Sequence, residues 1–404
     1  MESNLSYDKA RDLCLEYCRQ TDEEVIPLCT AYDRCLYNDI AAAVSLPPFN
    51  RSPYDGYAFR SSDCIFASPD APVTLTVIEE IPAGAFPSKH ITPGTAAKIL
   101  TGAPVPMGSD AVIKYEETSY TDSSVTISAP AVPWKNIVTA GEDVKAGDTI
   151  ALKGSPVTPA LAALLAGQGY SDVSVHKKPV VGIISTGSEL VEADNAISEG
   201  FIRDTNRYSL EGACLKAGAC PVYLGMAGDS TDEIYELMEK GLEICDMIIS
   251  TGGVSVGDYD YTPAAMLKTG AKALVRNLDV RPGGACIFGQ RNGKLVFCLS
   301  GNPASSMTCF YAAVLPCIFK LSGFSRFMPV MVKAVLSEDF KKNSLNTRMV
   351  RGKIDLTDGI LKISVYEKQG NGVLNSLIDC DIIGIIPAGS PALSAGTVID
   401  AFLI

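Results

Sequence analysis

Three stretches of this 404-residue chain share one arrangement, an apolar run followed at once by hydroxyls and glycines. They are Ile184-Ser185-Thr186-Gly187-Ser188-Glu189, Ile249-Ser250-Thr251-Gly252-Gly253-Val254-Ser255 and Leu299-Ser300-Gly301-Asn302-Pro303-Ala304-Ser305. If the apolar runs are strands of an open parallel sheet, these loops lie at the carboxyl ends. There, glycines let backbone approach an anion and the following helix presents its N-terminal N–H groups. Turn formation accounts for any one of them alone; three at one sheet edge point to a pocket for a phosphorylated or oxyanionic ligand. A second group sets carboxylates on glycine-containing loops: Asp55 in Tyr54-Asp55-Gly56, Glu142 and Asp143 after Gly141, and Asp258 and Asp260 after Gly257. Such carboxylates suit Mg²⁺, which takes one or two of them together with phosphate oxygens, although Asp-Gly pairs also form turns with no further role. Other chemistries fit poorly. With His90 and His176 the only two histidines, His-based triads and the usual Cys/His zinc sites are disfavoured. No GxxxxGK[ST] occurs, which argues against an ordinary P-loop NTPase.

The elements that must carry these loops follow from periodicity. Residues 6–19 repeat apolar positions at helical spacing (Ala10, Leu13, Cys14, Tyr17, Cys18), and a second helical stretch is expected near 29–44. From Pro47-Pro48 to about residue 150, short Val/Thr/Ile runs such as 73–77 and 124–127 read as a β-rich unit, and helix returns at 158–169. From 177 the pattern alternates: strand 180–184, helix 205–217, strand 222–224, helix 231–243, strands 247–249 and 295–298, and a helix after Pro303. That outlines a doubly wound parallel α/β sheet. Beyond Phe327, strands at 330–336, 350–356, 361–366, 382–386 and 398–403 suggest a small terminal barrel. The expected fold class is therefore multi-domain α/β and β. Its domains are a discontinuous N-terminal helical and linker domain (1–48 and 142–176), a β-rich insert (49–141), the α/β domain (177–327) and the C-terminal β-barrel (328–404).

Composition agrees with a globular protein of roughly two to four domains. Lys plus Arg number 34 against 46 Asp plus Glu, a net charge of −12, so a generic basic surface for nucleic acid or anionic membrane is not expected. No apolar run approaches the ~18 residues of a membrane span, and the first residues lack a basic stretch followed by an apolar one. Thirteen cysteines without a CxxC pair suit reduced thiols in the cytoplasm.

Six words taken in order carry a resemblance: residues 47–58 (Pro47-Pro48-Phe49-Asn50-Arg51-Ser52-Pro53-Tyr54-Asp55-Gly56-Tyr57-Ala58), Leu100-Thr101-Gly102-Ala103-Pro104-Val105-Pro106, Gly141-Glu142-Asp143-Val144, Thr186-Gly187-Ser188-Glu189-Leu190, residues 252–260 (Gly252 to Asp260) and Ser300-Gly301-Asn302-Pro303. They resemble the ordered motifs of the molybdopterin molybdenumtransferases, the MoeA family, which includes the gephyrin E domain. The similarity runs from about residue 5 to the end of the chain. The resemblance implies an elongated homodimer whose α/β domain faces loops of the partner subunit. It implies a reaction in which adenylylated molybdopterin and molybdate yield molybdenum cofactor and AMP with Mg²⁺ assisting, downstream of a molybdopterin adenylyltransferase. It implies activity roles for Asp55, Thr101, Asp143, Glu189 and Asp260, with Asp229 matching in less distinctive surroundings, and metal-binding roles for Asp55 and Asp260. Pterin and phosphate contacts fall to Thr186, Gly187, Gly252, Gly253, Ser255, Asn302 and Pro303, and the molybdate pocket to Arg281, Pro282, Ser305, Arg351 and Ser376.

The chain departs from the family at Arg281-Pro282-Gly283-Gly284, where Lys-Pro-Gly-Lys is usual, at Tyr54, where methionine is usual, and around Gly372 and Asn375. Arginine keeps one charge in a different geometry, whereas Gly284 removes a donor altogether. A non-catalytic pterin-nucleotide binding protein and a molybdopterin adenylyltransferase are the rival readings, and the choice between molybdate and tungstate stays open.

Overall fold

The computed structural model of the chain describes residues 1–254 and 261–404, which sort into two compact units. One comprises residues 1–38, 153–158 and 172–404; the other comprises 39–152 and 159–171.

The larger unit is built on a seven-stranded sheet. Four strands, Cys220–Ala227, Val180–Thr186, Met247–Thr251 and Lys294–Leu299, lie side by side in that order and run parallel. Cys286–Arg291 joins the last of them antiparallel, followed by Lys272–Leu278 and then Glu2–Leu5 at the edge. The expected α/β domain is thus present, extended by an antiparallel hairpin and an N-terminal strand. Its strands send alternate side chains to opposite faces. Met247 and Ile249 enter one core with Val181, Ile183 and Phe297, while Ile248 enters the other with Ile184 and Val296. Helix Asn206–Lys216, helix Tyr7–Leu15 and the helical run 303–321 cover the first face; helices Thr231–Ile244 and Tyr261–Lys268 cover the second.

The run 303–321 corrects one expectation. Its 19 residues are long and apolar enough to cross a membrane, with a mean hydropathy of 1.4 over an 18-residue window, but 78% of that window is buried. A π-turn, Phe310–Val314, interrupts it shortly before Pro316, whose ring and missing N–H disturb the i→i−4 ladder. The helix expected near 29–44 is also absent. A 3₁₀ turn (Leu28–Thr30) and a short strand (Ile40–Ala41) stand there instead. Asp33 adopts φ 59°, and Leu36 and Tyr37 N–H groups donate to Ser155 and Ser174 carbonyls, so pairing with distant segments overrides the local pattern.

After residue 330, Thr347–Asp355, Lys362–Val365, Met331–Leu336, Val398–Leu403 and Ile382–Ile386 pair in that order. The last pairs back to the first and closes a five-strand barrel around Ala334, Val350, Ile363, Ile382 and Ile399. Val280–Arg281 adds a short parallel strand beside Thr347–Asp355.

The smaller unit carries the β-rich insert. Its six strands run in the order Ala111–Lys114, Gly56–Phe59, Thr95–Ile99, Val73–Ile81, Ser124–Ile127 and Thr118–Tyr120. Tyr57 and Phe59 pack on one face and Ala58 on the other, the period of two expected of a strand buried on both sides.

Candidate functional site

The parallel strands of the larger unit reverse their winding between Val180–Thr186 and Met247–Thr251: the chain first builds outward to Cys220–Ala227 and then returns to the other side. At such a switch point the loops leave a crevice beyond the carboxyl ends of the strands. A cavity of about 660 Å³ opens there, lined by Thr186, Gly187, Glu189, Asp229, Thr251–Val254 and Ser300–Pro303, with Leu190, Ile202–Asn206, Gly283–Ala285, Ser305 and Asn371 completing the wall. The structure therefore brings together Thr186, Gly187, Glu189, Asp229, Gly252, Gly253, Asn302, Pro303 and Ser305. Ser255 and Asp260 lie outside the described residues.

Glycine is required here by close approach. Gly252 has φ 103°, and a Cβ on it would overlap the Thr186 carbonyl; one on Gly253, at φ 60°, would meet Thr262 Oγ1 at 2.6 Å. Thr186 Oγ1 donates to the Thr251 carbonyl at 3.0 Å and Thr262 Oγ1 to the Gly252 carbonyl at 3.0 Å, pinning neighbouring loops to each other. Asp229 N–H donates to Ser188 Oγ at 2.9 Å, which sets Asp229 beside the Thr186–Glu189 loop. One expectation changes. Pro303 occupies the start of its helix as anticipated, yet the Ala304 and Ser305 N–H groups donate to the Asn371 carbonyl at 3.0 and 3.2 Å. Those two donors are engaged by the protein itself, so anion contacts in this cavity fall to other groups.

Asp55, Thr101 and Asp143 belong to the smaller unit. Thr101 donates to Asp55 Oδ1 twice, through its backbone N–H and its hydroxyl, both at 2.7 Å. These hydrogen bonds, the backbone one foremost, hold the fully exposed Asp55 carboxyl below its ordinary pKa. Gly56 follows because a Cβ there would run into the Ile113 carbonyl of the adjacent strand. Asp143 sits on the next loop, its N–H donating to the Leu46 carbonyl at 3.0 Å, and no hydrogen bond joins its carboxylate to Asp55 among the described residues.

Arg351 and Ser376 meet in the barrel. Arg351, on Thr347–Asp355, is wholly buried; its Nε donates to Ser376 Oγ at 2.7 Å and one Nη to the Gly370 carbonyl at 3.1 Å. The other Nη is buried without a hydrogen-bond partner, and burial lowers the guanidinium pKa. A buried cation without a carboxylate partner is costly, and the hydrogen bonds to Ser376 and Gly370 offset part of that cost. Arg351 lines neither the cavity above nor the next one. Arg281 and Pro282 line a separate cavity of about 310 Å³, with Asn371 common to both. At Gly284 a Cβ would lie 2.7 Å from the Val280 carbonyl oxygen and 2.9 Å from that of Leu278, so this backbone leaves no room for a lysine.

Sequence reasoning missed several wall residues. Asn206 Nδ2 donates to the Gly301 carbonyl at 2.8 Å, and the buried Asp204 accepts from Ser185 Oγ and from Arg207 N–H. Their sole signal is position, at the start of a predicted helix that follows the first glycine loop. Asn371 had only turn-like surroundings to announce it.

Residues 5–169 match the MoeA N-terminal region (domain I and II), residues 182–320 a probable molybdopterin binding domain, and residues 333–404 the MoeA C-terminal region (domain IV). The chain is 35% identical over 401 residues to the molybdopterin molybdenumtransferase of Bacillus subtilis, covering 98% of this chain and 93% of that protein. It is 35% identical over 368 residues to the molybdopterin molybdenumtransferase of Staphylococcus epidermidis, covering 91% and 88%. Among solved structures, a molybdopterin biosynthesis MoeA protein from Pyrococcus horikoshii is similar with a TM-score of 0.86 and 33% identity, over 99% of this chain and 100% of that one.

Proposed function

The chain belongs to the MoeA family, and we infer that it is a molybdopterin molybdenumtransferase of molybdenum cofactor biosynthesis, joining molybdate to adenylylated molybdopterin with release of AMP. The observation that carries this reading is the convergence of three glycine-and-hydroxyl loops on one cavity at the sheet's switch point, in a unit that also holds the buried Arg351–Ser376 pair.

The nucleotide's phosphates meet the loops of Gly252, Gly253 and Gly301 at the sheet's switch point. Thr186 and Thr262 keep those loops from relaxing away. Arg351 supplies a buried guanidinium with one unpartnered Nη, the kind of donor a tetrahedral dianion needs, and Ser376, whose hydroxyl donates to the Val373 carbonyl, holds it in place. Breaking the pyrophosphate bond leaves negative charge on AMP, and any donor already in place stabilises that charge without reorganising.

The donor set fits Mg²⁺. Glu189 and Asp229 present hard carboxylate oxygens to the phosphate-binding cavity, and this ion needs only one or two protein carboxylates. The lack of a cluster of three His, Cys, Asp or Glu side chains among the described residues is compatible with such a site. When bound, Mg²⁺ withdraws charge from phosphate oxygens. Asp55, Thr101 and Asp143 are proposed as activity residues by their match to the family positions.

A homodimer is proposed as the working form and the cytoplasm as its location, the latter supported by thirteen cysteines that are all free. A molybdopterin adenylyltransferase is the proposed upstream partner. The test is incubation of purified protein with adenylylated molybdopterin and Mg²⁺, with and without molybdate. AMP release that requires molybdate is expected; tight nucleotide binding without AMP release supports the non-catalytic rival instead.

A further inference from the structure

Tyr54 stands exposed directly before Asp55, at the position where methionine is usual in the family. Its backbone is fixed from both sides. The fully buried Ser52 donates through Oγ to the Tyr54 carbonyl at 2.5 Å and accepts from the Tyr54 N–H at 3.2 Å. The Ser52 N–H donates in turn to the Ala103 carbonyl, and its own carbonyl accepts from the Gly102 N–H, in the loop that also brings Thr101 to Asp55. On the adjacent strand Ala111–Lys114, Lys114 pairs in register with Gly56, and its Nζ lies 4.1 Å from the centre of the Tyr54 ring. At that distance the negative face of the ring attracts the ammonium. No described carboxylate neutralises it: Lys114 forms no ion pair with any described residue, and Glu117, three positions on, faces Lys135 at 3.8 Å instead. A methionine would present no ring, and a lysine beside it would spread over many rotamers.

We propose that Lys114, held on the face of Tyr54, is a substrate-binding cation for the phosphates of the adenylylated substrate, and that Tyr54 is its positioning residue. The inference rests on the reading that the Asp55 loop meets that substrate. The net charge of −12 repels a pyrophosphate-bearing molecule at a distance, so cations are needed where it lands, and Asp55 adds a further negative charge at that place. A lysine paired with a carboxylate has its charge already cancelled. A ring quadrupole carries no net charge, so Tyr54 fixes the ammonium and leaves its charge available. Ordering the long side chain before the substrate arrives also reduces the rotamer entropy lost on binding.

The experiment is calorimetric titration of the full-length protein with adenylylated molybdopterin at low and at high salt. Wild type is compared with Lys114→Gln, Lys114→Arg, Tyr54→Met, Tyr54→Phe and the double variant Tyr54→Met/Lys114→Gln, each checked by thermal melting. Lys114→Gln is expected to raise the Kd by about five-fold at low salt, the upper end for a solvent-accessible ion pair, and to flatten its salt dependence. Lys114→Arg retains most of the affinity. Tyr54→Met raises the Kd by about two-fold, and Tyr54→Phe leaves it unchanged because the ring remains. The double variant binds no more weakly than Lys114→Gln alone, since Tyr54 acts through the lysine. A Kd unchanged in Lys114→Gln overturns the proposal, as does a loss of the same size at both salt concentrations. A Tyr54→Met effect that persists undiminished beside Lys114→Gln overturns it too, because a merely structural tyrosine acts equally in both backgrounds. Binding is read without turnover, so a salt-sensitive loss in a protein that never releases AMP upholds the contact and contradicts the molybdenum-transfer reading alone.

Discussion

Thr101 offers Asp55 two hydrogen bonds to a single oxygen, and both favour the ionised carboxylate. Asp55 is therefore charged at every pH near neutrality, and its lowered pKa keeps it charged further into acid than an ordinary aspartate at ~3.9. Asp55→Asn is expected to lower AMP release on the order of 10²-fold, the scale of a positioned acid–base or charge-stabilising group, while nucleotide affinity stays within two- to three-fold; parallel turnover and binding assays check this. Thr101→Val removes the hydroxyl donor and leaves the N–H, so the Asp55 pKa rises part of the way back. The acid limb of the pH–rate profile then moves to higher pH, and a shift to lower pH contradicts the assignment. The carboxylate and its threonine were both legible as residue types in glycine turns, but their pairing was not, because Asp55 and Thr101 are far apart in sequence. Arg351 shows the opposite limit. Alternation within a strand does not tell a covered face from a solvated one: Val350 points into the barrel, and Arg351 on the opposite face is buried against the segment 370–376.

Loops bear the function here, and two of them are defined by what cannot be added. Gly252→Ala places a Cβ against the Thr186 carbonyl at φ 103° and is expected to destabilise the protein by about 1–3 kcal/mol and to abolish nucleotide binding. Gly284→Lys meets two backbone carbonyls, so it lowers the melting temperature without improving molybdate use; a variant that melts normally and binds molybdate more tightly contradicts the geometry. A third element couples stability to pH. His176, on Asp172–His176, holds one ring nitrogen 2.8 Å from the Thr21 carbonyl and buries the other without a partner, with Gly323 packed against the ring. Burial lowers its pKa, so the unfolded chain takes up this proton first as pH falls through ~6.5. This contribution to stability is fully present above that value and is lost on acidification towards the folded-state pKa. Denaturant titrations at pH 7.5 and 5.5 are expected to show a drop that His176→Gln reduces. Hairpin 286–299 illustrates what was readable and overlooked. Asn292-Gly293 separates two apolar runs, and both residues take positive φ, the signature of a tight turn between antiparallel strands. The absent helix near 29–44 was unreadable for the converse reason, because its backbone pairs with residues more than a hundred positions away.

At the scale of the whole molecule, the dimer expected from the resemblance draws no support from the N-terminal helix: Ala10, Cys14 and Leu15 are buried in the subunit's own core. Light scattering at micromolar concentration is expected to give twice the 42.7 kDa chain mass, and a monomer at those concentrations contradicts the homodimer. The parallel α/β sheet and the crevice at its strand ends were legible from the alternation of elements and the glycine words, and the terminal barrel from its short strands. Side-by-side placement of Arg281 and Arg348 was not, since a parallel register between segments 67 positions apart leaves no local trace. The central claim is that cleavage of the nucleotide is coupled to acquisition of molybdenum. Its most direct measurement is a single turnover with enzyme in excess over adenylylated molybdopterin, quenched at intervals, counting AMP released and molybdenum bound to pterin. Equal yields rising together, and neither without molybdate, are predicted; AMP released in full while the pterin stays free of molybdenum contradicts the account.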